Sequence, residues 1–543
     1  MRSKIFLFLL SATLLIASSC KKESDSIRLI PKDAFMVVHI DASSLTSKLS
    51  WKEIQESAWF KKAYESEQDS LEKKMMENPE NSGMDIGKDM VLYFKKQGQR
   101  SLMVFQGSVK DDEHFEKFNL AMDKNAKVTE DGKLKMMQRD GMAVVWNKDR
   151  FMFLADVPLN SSRAYYSNEP EQEFPVDSLF KFGRDLYNME DENSLAKNEK
   201  FTGMLKEKGD LHLWVNSEEV YNSMSDQMGM LSMLKMSELI KGLVTTATFN
   251  FDNGKITMNA KQYANPKMSE IYKKLGSRKV SDELLNRIPS QNVAGVMAMS
   301  YPPELLKEFI LLMGMDGMLN GMLGKMGYSM DELIRAQGGE MLVVVSDLDM
   351  SDVTTGVGME VRPSSMYQQD EMEMDLPPSA PKKDRLHLLF STSIGDKAAF
   401  DKLVELVKMQ AGAFSMGLPP IFHHSDGKWF ALGNDSAQVH SFIKGEGVKQ
   451  PYASKLTGHP MSMYVDLQKI FSSLETTATT PEKKEKLGII RNTWVDIIVY
   501  GGEFKDDYSE SYGEMNFTDK GTNSLKQLNR FIEQLSAEKP LVN

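Results

Sequence analysis

Asp210–Met224 reads DLHLWVNSEEVYNSM, and Pro460–Leu474 reads PMSMYVDLQKIFSSL. The two align without a gap. In each, a stretch of period-two alternation passes into residues spaced three and four apart, the pattern of a strand running into an amphipathic helix. Leu211, Leu213 and Val215 share one strand face, matched by Met461, Met463 and Val465. A recurrence of this kind in one chain implies internal duplication, and the rest of the sequence is read for its extent.

The likeness extends in both directions. Downstream, Phe251–Leu275 and Phe504–Leu535 each read as strand, turn, strand and terminal helix. Upstream, IPKDAFMVVHIDASSL (Ile30–Leu45) is answered by IPSQNVAGVMAMSYPPELL (Ile288–Leu306), an Ile-Pro turn leading a hydrophobic strand into a helix. Ser101–Met122 matches Arg385–Val407 as strand, polar turn and helix, and Asn147–Asp156 matches Ser425–Asp435 as a turn entering a buried strand. Two-residue turns such as the one at Asp252-Asn253-Gly254 indicate antiparallel hairpins. The expected fold class is therefore α+β: two tandem repeated halves, each of mixed, mostly antiparallel sheets with packed helices. The expected organisation is a signal peptide at 1–19 and a lipidated tether at 20–28. Front and back modules follow at 29–199 and 200–280, then at 281–450 and 451–543. Pro158–Lys197 reads as polar and irregular, then helical. Residues 351–384, rich in charge, proline and serine, read as a flexible insert in the second front module.

At 543 residues the chain exceeds one compact core. Its 77 acids against 66 bases give a net charge of -11, which argues against general nucleic-acid binding. The start of the chain carries an address. Arg2 and Lys4 precede an apolar run from Ile5 to Ile16, followed by Ala17-Ser18-Ser19-Cys20, the plan of a secretory signal peptide. The run falls short of the roughly 20 residues a spanning helix needs. Cys20, the only cysteine, stands where a bacterial lipobox places its lipidated residue, with Ala17 in place of the usual leucine. Several acyl chains on one residue anchor stably, because each buried CH₂ contributes about 0.8 kcal/mol. The expected partner is thus a membrane, reached through an N-terminal lipid anchor. Lys21 after the cysteine favours the outer membrane, with the periplasmic face and the cell surface both open. The mature chain holds no disulfide and no thiol nucleophile.

Signatures of catalysis and metal binding are incomplete. Gly324-Lys325 resembles the end of a phosphate loop, but Leu319 stands in place of its earlier glycine and Met326 in place of its hydroxyl residue. Asp347, Asp349 and Asp352 resemble a calcium loop, with Asp352 where the turn glycine belongs. His423 and His424 are adjacent, so their side chains are expected to point apart. Asp69-Ser70-Leu71, Asp177-Ser178-Leu179 and Asp435-Ser436-Ala437 resemble a short O-glycosylation acceptor. No catalytic, cofactor-binding or metal-ligating residue is assigned, and Cys20 is the one site residue.

LLMGMDGMLNGMLGKMGYSM, Leu311–Met330, is the most unusual stretch of a chain with 40 methionines. Read as one helix, it places Leu311, Met315, Met318, Met322 and Met326 on one apolar face, with Gly314, Gly317, Gly321 and Gly324 as a stripe for close backbone approach. The reading expected is a weak helix held by packing, in the slot that Ser43–Tyr64 fills in the first half.

The lipobox, Ile30-Pro31 ahead of its strand, Gly83-Met84-Asp85 ahead of the strand Met90–Phe94, the duplication and the Met-Gly helix together resemble an uncharacterised Bacteroidota lipoprotein family known as a domain of unknown function. The resemblance implies an envelope address and no catalytic residue. Three functions stay open: a non-enzymatic binding or assembly role toward a protein or glycan, with a cleft between the halves as the place for a ligand; a hydrolase acting on an envelope polymer; and copper handling through methionine sulfurs such as Met315 and Met322.

Overall fold

The computed structural model describes residues 25–98, 100–123, 125–139, 141–158, 174–224, 239–348, 386–411 and 421–536. Cys20, the signal peptide, most of the tether and the insert 351–384 lie outside the described residues.

Among the described residues eighteen strands make up one sheet. In chain order they are β1 Ala34–Ile40, β2 Met90–Gln97, β3 Arg100–Ser108, β4 Thr129–Asp131, β5 Leu134–Arg139, β6 Met142–Trp146, β7 Arg150–Pro158, β8 Leu211–Asn216 and β9 Val244–Asp252. Then come β10 Lys255–Tyr263, β11 Val293–Ser300, β12 Gln337–Ser346, β13 His387–Ile394, β14 Phe422–Ser425, β15 Trp429–Gly433, β16 Met461–Asp466, β17 Trp494–Lys505 and β18 Tyr508–Phe517. From edge to edge the order is β4-β5-β6-β7-β3-β2-β1-β8-β9-β10-β18-β17-β16-β11-β12-β13-β15-β14, and each of these pairings is antiparallel. The chain is thus mixed α and β around a large antiparallel sheet. Separate sheets for the two parts of the chain do not form, because β10 pairs with β18 over nine residue pairs, Lys255↔Asn516 to Tyr263↔Tyr508.

Hairpin tips lock this seam. In the β9–β10 turn Gly254 has φ +68°, and a Cβ there would meet the Lys520 backbone at 2.5 Å, so the position needs glycine on two counts. Its N–H donates to the Thr522 carbonyl, and its carbonyl accepts from the Phe517 N–H. At the β17–β18 tip the Asp507 carbonyl accepts from the Ala264 N–H. Each tip therefore grips the chain where a helix begins, Ser524–Ser536 in one case and Pro266–Leu275 in the other.

Four core clusters pack against the sheet. Around β1–β8, Val37, Tyr93, Val104, Leu154 and Trp214 fill one face, with Phe201 edge-on to Trp214. Helices Ala42–Lys48, Trp51–Glu56, Ala58–Ser66 and Asp112–Met122 cover the other face, over Phe105, Trp146, Phe151 and Phe153. Around β11–β16, one face is as full, with Val296, Leu342, Leu389, Trp429 and Tyr464. Among the described residues the opposite face has a small buried cluster of Ala336, Ala399 and Phe400, with Ile394, Val404 and Phe430 packed against it, and Met297, Val343 and Leu388 stand exposed.

The alternation read in β8 and β16 is present: Leu211, Leu213 and Val215 share one half-buried face, while the other face buries His212 and Trp214, or Ser462 and Tyr464, more deeply. One reading is corrected. The Met-Gly stretch is not one helix. It divides into the end of Pro303–Leu312, the helix Asp316–Lys325 and the start of Met330–Ala336. Gly314 and Gly327, at φ +67°, end the first two. At each break the glycine N–H and the next N–H bond back to the last turn: Gly314 to Leu311, Met315 to Ile310, Gly327 to Gly324 and Tyr328 to Leu323. These are Schellman caps, in which glycine removes the Cβ clash of left-handed backbone. Breaking the helix shifts its phase, so Leu323 is buried while Met318 and Met322 are 63% and 55% exposed. No described backbone approaches the remaining stripe: among the described residues a Cβ on Gly317, Gly321 or Gly324 meets nothing within 4 Å.

The seam also contains a buried charge. Glu514 on β18 is 6% exposed and receives the ammonium groups of Lys255, at 3.1 Å, and Lys455. Burial opposes its ionisation, but the two lysines prevail and hold the carboxyl at about 2. Its folded value lies below its unfolded one, so its stabilisation is complete above about pH 4.5 and fades as pH falls toward 2. Glu514→Ala should cost about 2 kcal/mol at neutral pH in denaturant unfolding, and the loss should shrink in acid.

Candidate functional site

A groove lies over the seam. Asn265 begins the helix Pro266–Leu275 by accepting from the Met268 N–H, Pro266 sets the first-turn φ, and Gly276 at φ +70° ends it. That start is held from below, where the Asn265 side-chain amide donates to the Leu239 carbonyl at 3.1 Å. Met268 and Tyr272, one turn apart, share the face toward the groove. Tyr272 stacks on Phe504 of β17 at 4.9 Å and meets Phe309 of helix Pro303–Leu312 edge-on at 6.5 Å. Burial raises the Tyr272 hydroxyl above its ordinary value. Leu243, Ala264, Leu306 and Met313 are among the residues that add to this apolar lining, around a volume of about 400 Å³.

Polar groups in the lining are few. Gln262 and Ser509, partners across the β10–β18 seam, supply an amide and a hydroxyl. On the rim, Lys274 pairs with Glu308 at 3.2 Å. Among the described residues the lining carries no carboxylate, imidazole or ammonium, so its chemistry there is that of an aromatic-walled receptacle with two neutral hydrogen-bonding groups.

The other helix junction of the seam is closed. There Ser524–Ser536 lies against the helices of residues 51–66. Trp59 Nε1 donates to Asn529 Oδ1 at 2.8 Å, Lys526 meets Glu53 at 2.5 Å, and Leu525 joins the core with Trp51 and Phe60. A tryptophan-filled junction on one side and an open groove on the other set the groove apart from ordinary packing.

The sequence candidates do not gather at this groove. Cys20 is outside the described residues, as are Asp349 and Asp352. Asp347, at φ +51°, ties Ser290, Gln438 and His387 at the end of β12. His423 and His424 are exposed on β14, where His423 stacks on Phe430 and His424 lies near His440. Asp69 and Asp435 cap helices, accepting from Leu71 and Gln438 respectively, which gives their Asp-Ser pairs a local structural purpose. Met315 is half-buried and Met322 exposed; of the Met-Gly stretch, Leu311–Met330, it is Met313 that lines the groove. Among the described residues no group of three or more His, Cys, Asp or Glu could hold a metal ion, and no helix is long and apolar enough to cross a membrane. The groove was beyond sequence reasoning because its walls come from residues 239–272, 306–313 and 504–509, segments far apart in the chain, and the Met-Gly stretch enters it through Met313.

Residues 27–310 match the family described as Domain of unknown function (DUF4836). Solved structures that resemble the chain include crystal forms III, IV and I of TP0453. Forms III and IV have TM-scores of 0.25 at 9% identity, and form I has 0.24 at 8%. Each covers 48% of this chain, and 90%, 88% and 90% of its own length in the order III, IV and I. No curated protein matches the sequence.

Proposed function

This chain belongs to the DUF4836 family, a family of unknown function, and from that premise we propose that it is an envelope lipoprotein, anchored through Cys20, that binds an apolar ligand in the seam groove without catalysis. The observation that carries the reading is the groove itself: about 400 Å³ walled by Tyr272, Phe309 and Phe504, with an amide and a hydroxyl for orientation. That volume and chemistry suit a small-molecule site. The reading places the groove between two repeated halves. Support for duplication comes from the strand order outward from the seam, β10-β9-β8-β1-β2-β3 on one side and β18-β17-β16-β11-β12-β13 on the other. The address rests on the N-terminal sequence, with its basic head, short apolar run and lone cysteine.

Titration of the purified protein with a fluorescent long-chain alkyl probe tests the binding. Ala264→Phe, which fills the groove, should weaken the probe roughly tenfold or more, a loss of at least about 1.4 kcal/mol. Unchanged affinity would remove the groove as the site, and turnover of an envelope polymer by the same preparation would put the hydrolase reading in its place. The anchor has its own test. Cys20→Ala should abolish incorporation of labelled palmitate and shift the protein from the membrane to the soluble fraction; a variant that still fractionates with membranes contradicts the assignment.

A further inference from the structure

His39 on β1 and His212 on β8 are direct cross-strand partners. They are 6% and 3% exposed, and their Nδ1 atoms lie 3.3 Å apart. The other nitrogen of each ring already has a partner. His39 Nε2 lies 3.2 Å from Asp89 Oδ2, and His212 Nε2 lies 3.0 Å from the Glu207 carbonyl oxygen. A carbonyl only accepts, so His212 Nε2 carries a hydrogen; an ionised carboxylate only accepts, so His39 Nε2 carries one too. Two neutral imidazoles own two N–H hydrogens, and both are now used at the ends of the chain. The two Nδ1 lone pairs would then face each other, and the contact closes only if a third proton lies between them.

The surroundings favour that extra charge. Asp210 is neutralised by Lys48, and Glu207 by Lys261. Among the described residues Asp89 then faces His39 alone, and Asp41, which accepts from Ser43 and Ser44, adds negative potential at His212. Thr248 on β9, opposite His212, turns its hydroxyl to Glu207. A divalent ion is the other species able to bridge two imidazoles, but among the described residues no third ligand completes a coordination sphere.

We infer that His39 and His212 share one proton, which makes the Asp89–His39–His212–Glu207 chain a charged, pH-set latch between β1 and β8. Releasing that proton to solvent leaves two facing lone pairs; adding a second leaves two facing N–H groups. Either change breaks the middle link. The like-placed pair in β11 and β16, Ala298↔Ser462, is fully buried and holds no titratable group, so the latch belongs to one seam only. Burial pushes the His212 imidazole below its ordinary value, with His39 adding to the effect, which marks His212 as the neutral ring of the pair. As pH falls through about 6.5, the unfolded chain takes up the proton that folded His212 refuses, and stability drops.

Asp89→Asn separates the proton from the contact. The asparagine amide donates to His39 Nε2, so all three links can form with neutral rings. In full-length protein labelled with ¹⁵N-histidine, at about pH 7, the wild type should show a through-hydrogen-bond coupling between the two Nδ1 atoms and one imidazolium among them. Asp89→Asn should keep the coupling and lose the imidazolium. Absence of the coupling in the wild type, or an imidazolium that survives in Asp89→Asn, overturns the latch. A second readout guards against a misfolded variant. The double substitution His39→Ala and His212→Ser, which copies the β11–β16 pair, should flatten the dependence of the melting temperature on pH, and an unchanged profile also overturns it. Bound zinc or copper that departs with the double substitution would identify the bridge as a metal instead.

Discussion

Nine antiparallel residue pairs between β10 and β18 hold this molecule together. Without them the strands from β1 to β10 and those from β11 to β18 would form two sheets, each with an exposed edge of unpaired backbone groups. With them the hydrogen-bond ladder runs unbroken through eighteen strands. The ladder is reinforced at a point where error is costly. Glu514 is buried in it and is balanced by Lys255 from the adjoining strand and Lys455 from the short helix Ala453–Leu456. A carboxylate in that position fits one register only, because a slip of one residue would turn it to the other face of the sheet.

From this seam follow both the closed junction and the open one. Each central hairpin grips the start of a helix belonging to the other side, and each of those helices then lies against a helix that follows an Ile-Pro-led strand. Trp51, Trp59 and Phe60 fill the first junction. In the second, the neighbouring helix offers Leu306, Phe309 and Met313, which make a wall without filling the space. The groove is therefore a consequence of side-chain volume at one of two similar junctions. Its position over the seam means that an occupant touches segments far apart in the chain at once, so binding there would also brace the seam.

Local order was legible in the sequence; the relation between distant segments was not. The strand-to-helix passages at Asp210–Met224 and Pro460–Leu474 appear as read, because period-two alternation followed by helical spacing leaves little choice. The Asp252–Gly254 hairpin appears for the same reason. The Met-Gly stretch misled because spacing alone treats every glycine as an interior residue. Gly314 and Gly327 are stop signals, and once they act the methionine face rotates outward. Alternation places Leu211, Leu213 and Val215 on one face of β8 without saying which face is buried deepest, and that is the face of His212 and Trp214. The ring that makes the burial of His212 tolerable belongs to His39, 173 residues away, and leaves no trace in a local pattern. The groove was hidden for a related reason, since ordinary residues line it.

Whether the seam groove receives an apolar ligand is tested by a crystal structure grown in the presence of excess long-chain alkanol. Continuous ligand density is expected between Tyr272, Phe309 and Phe504, with the β10–β18 pairing unchanged. A groove closed by its own side chains, or an alkanol bound only elsewhere on the surface, would contradict it.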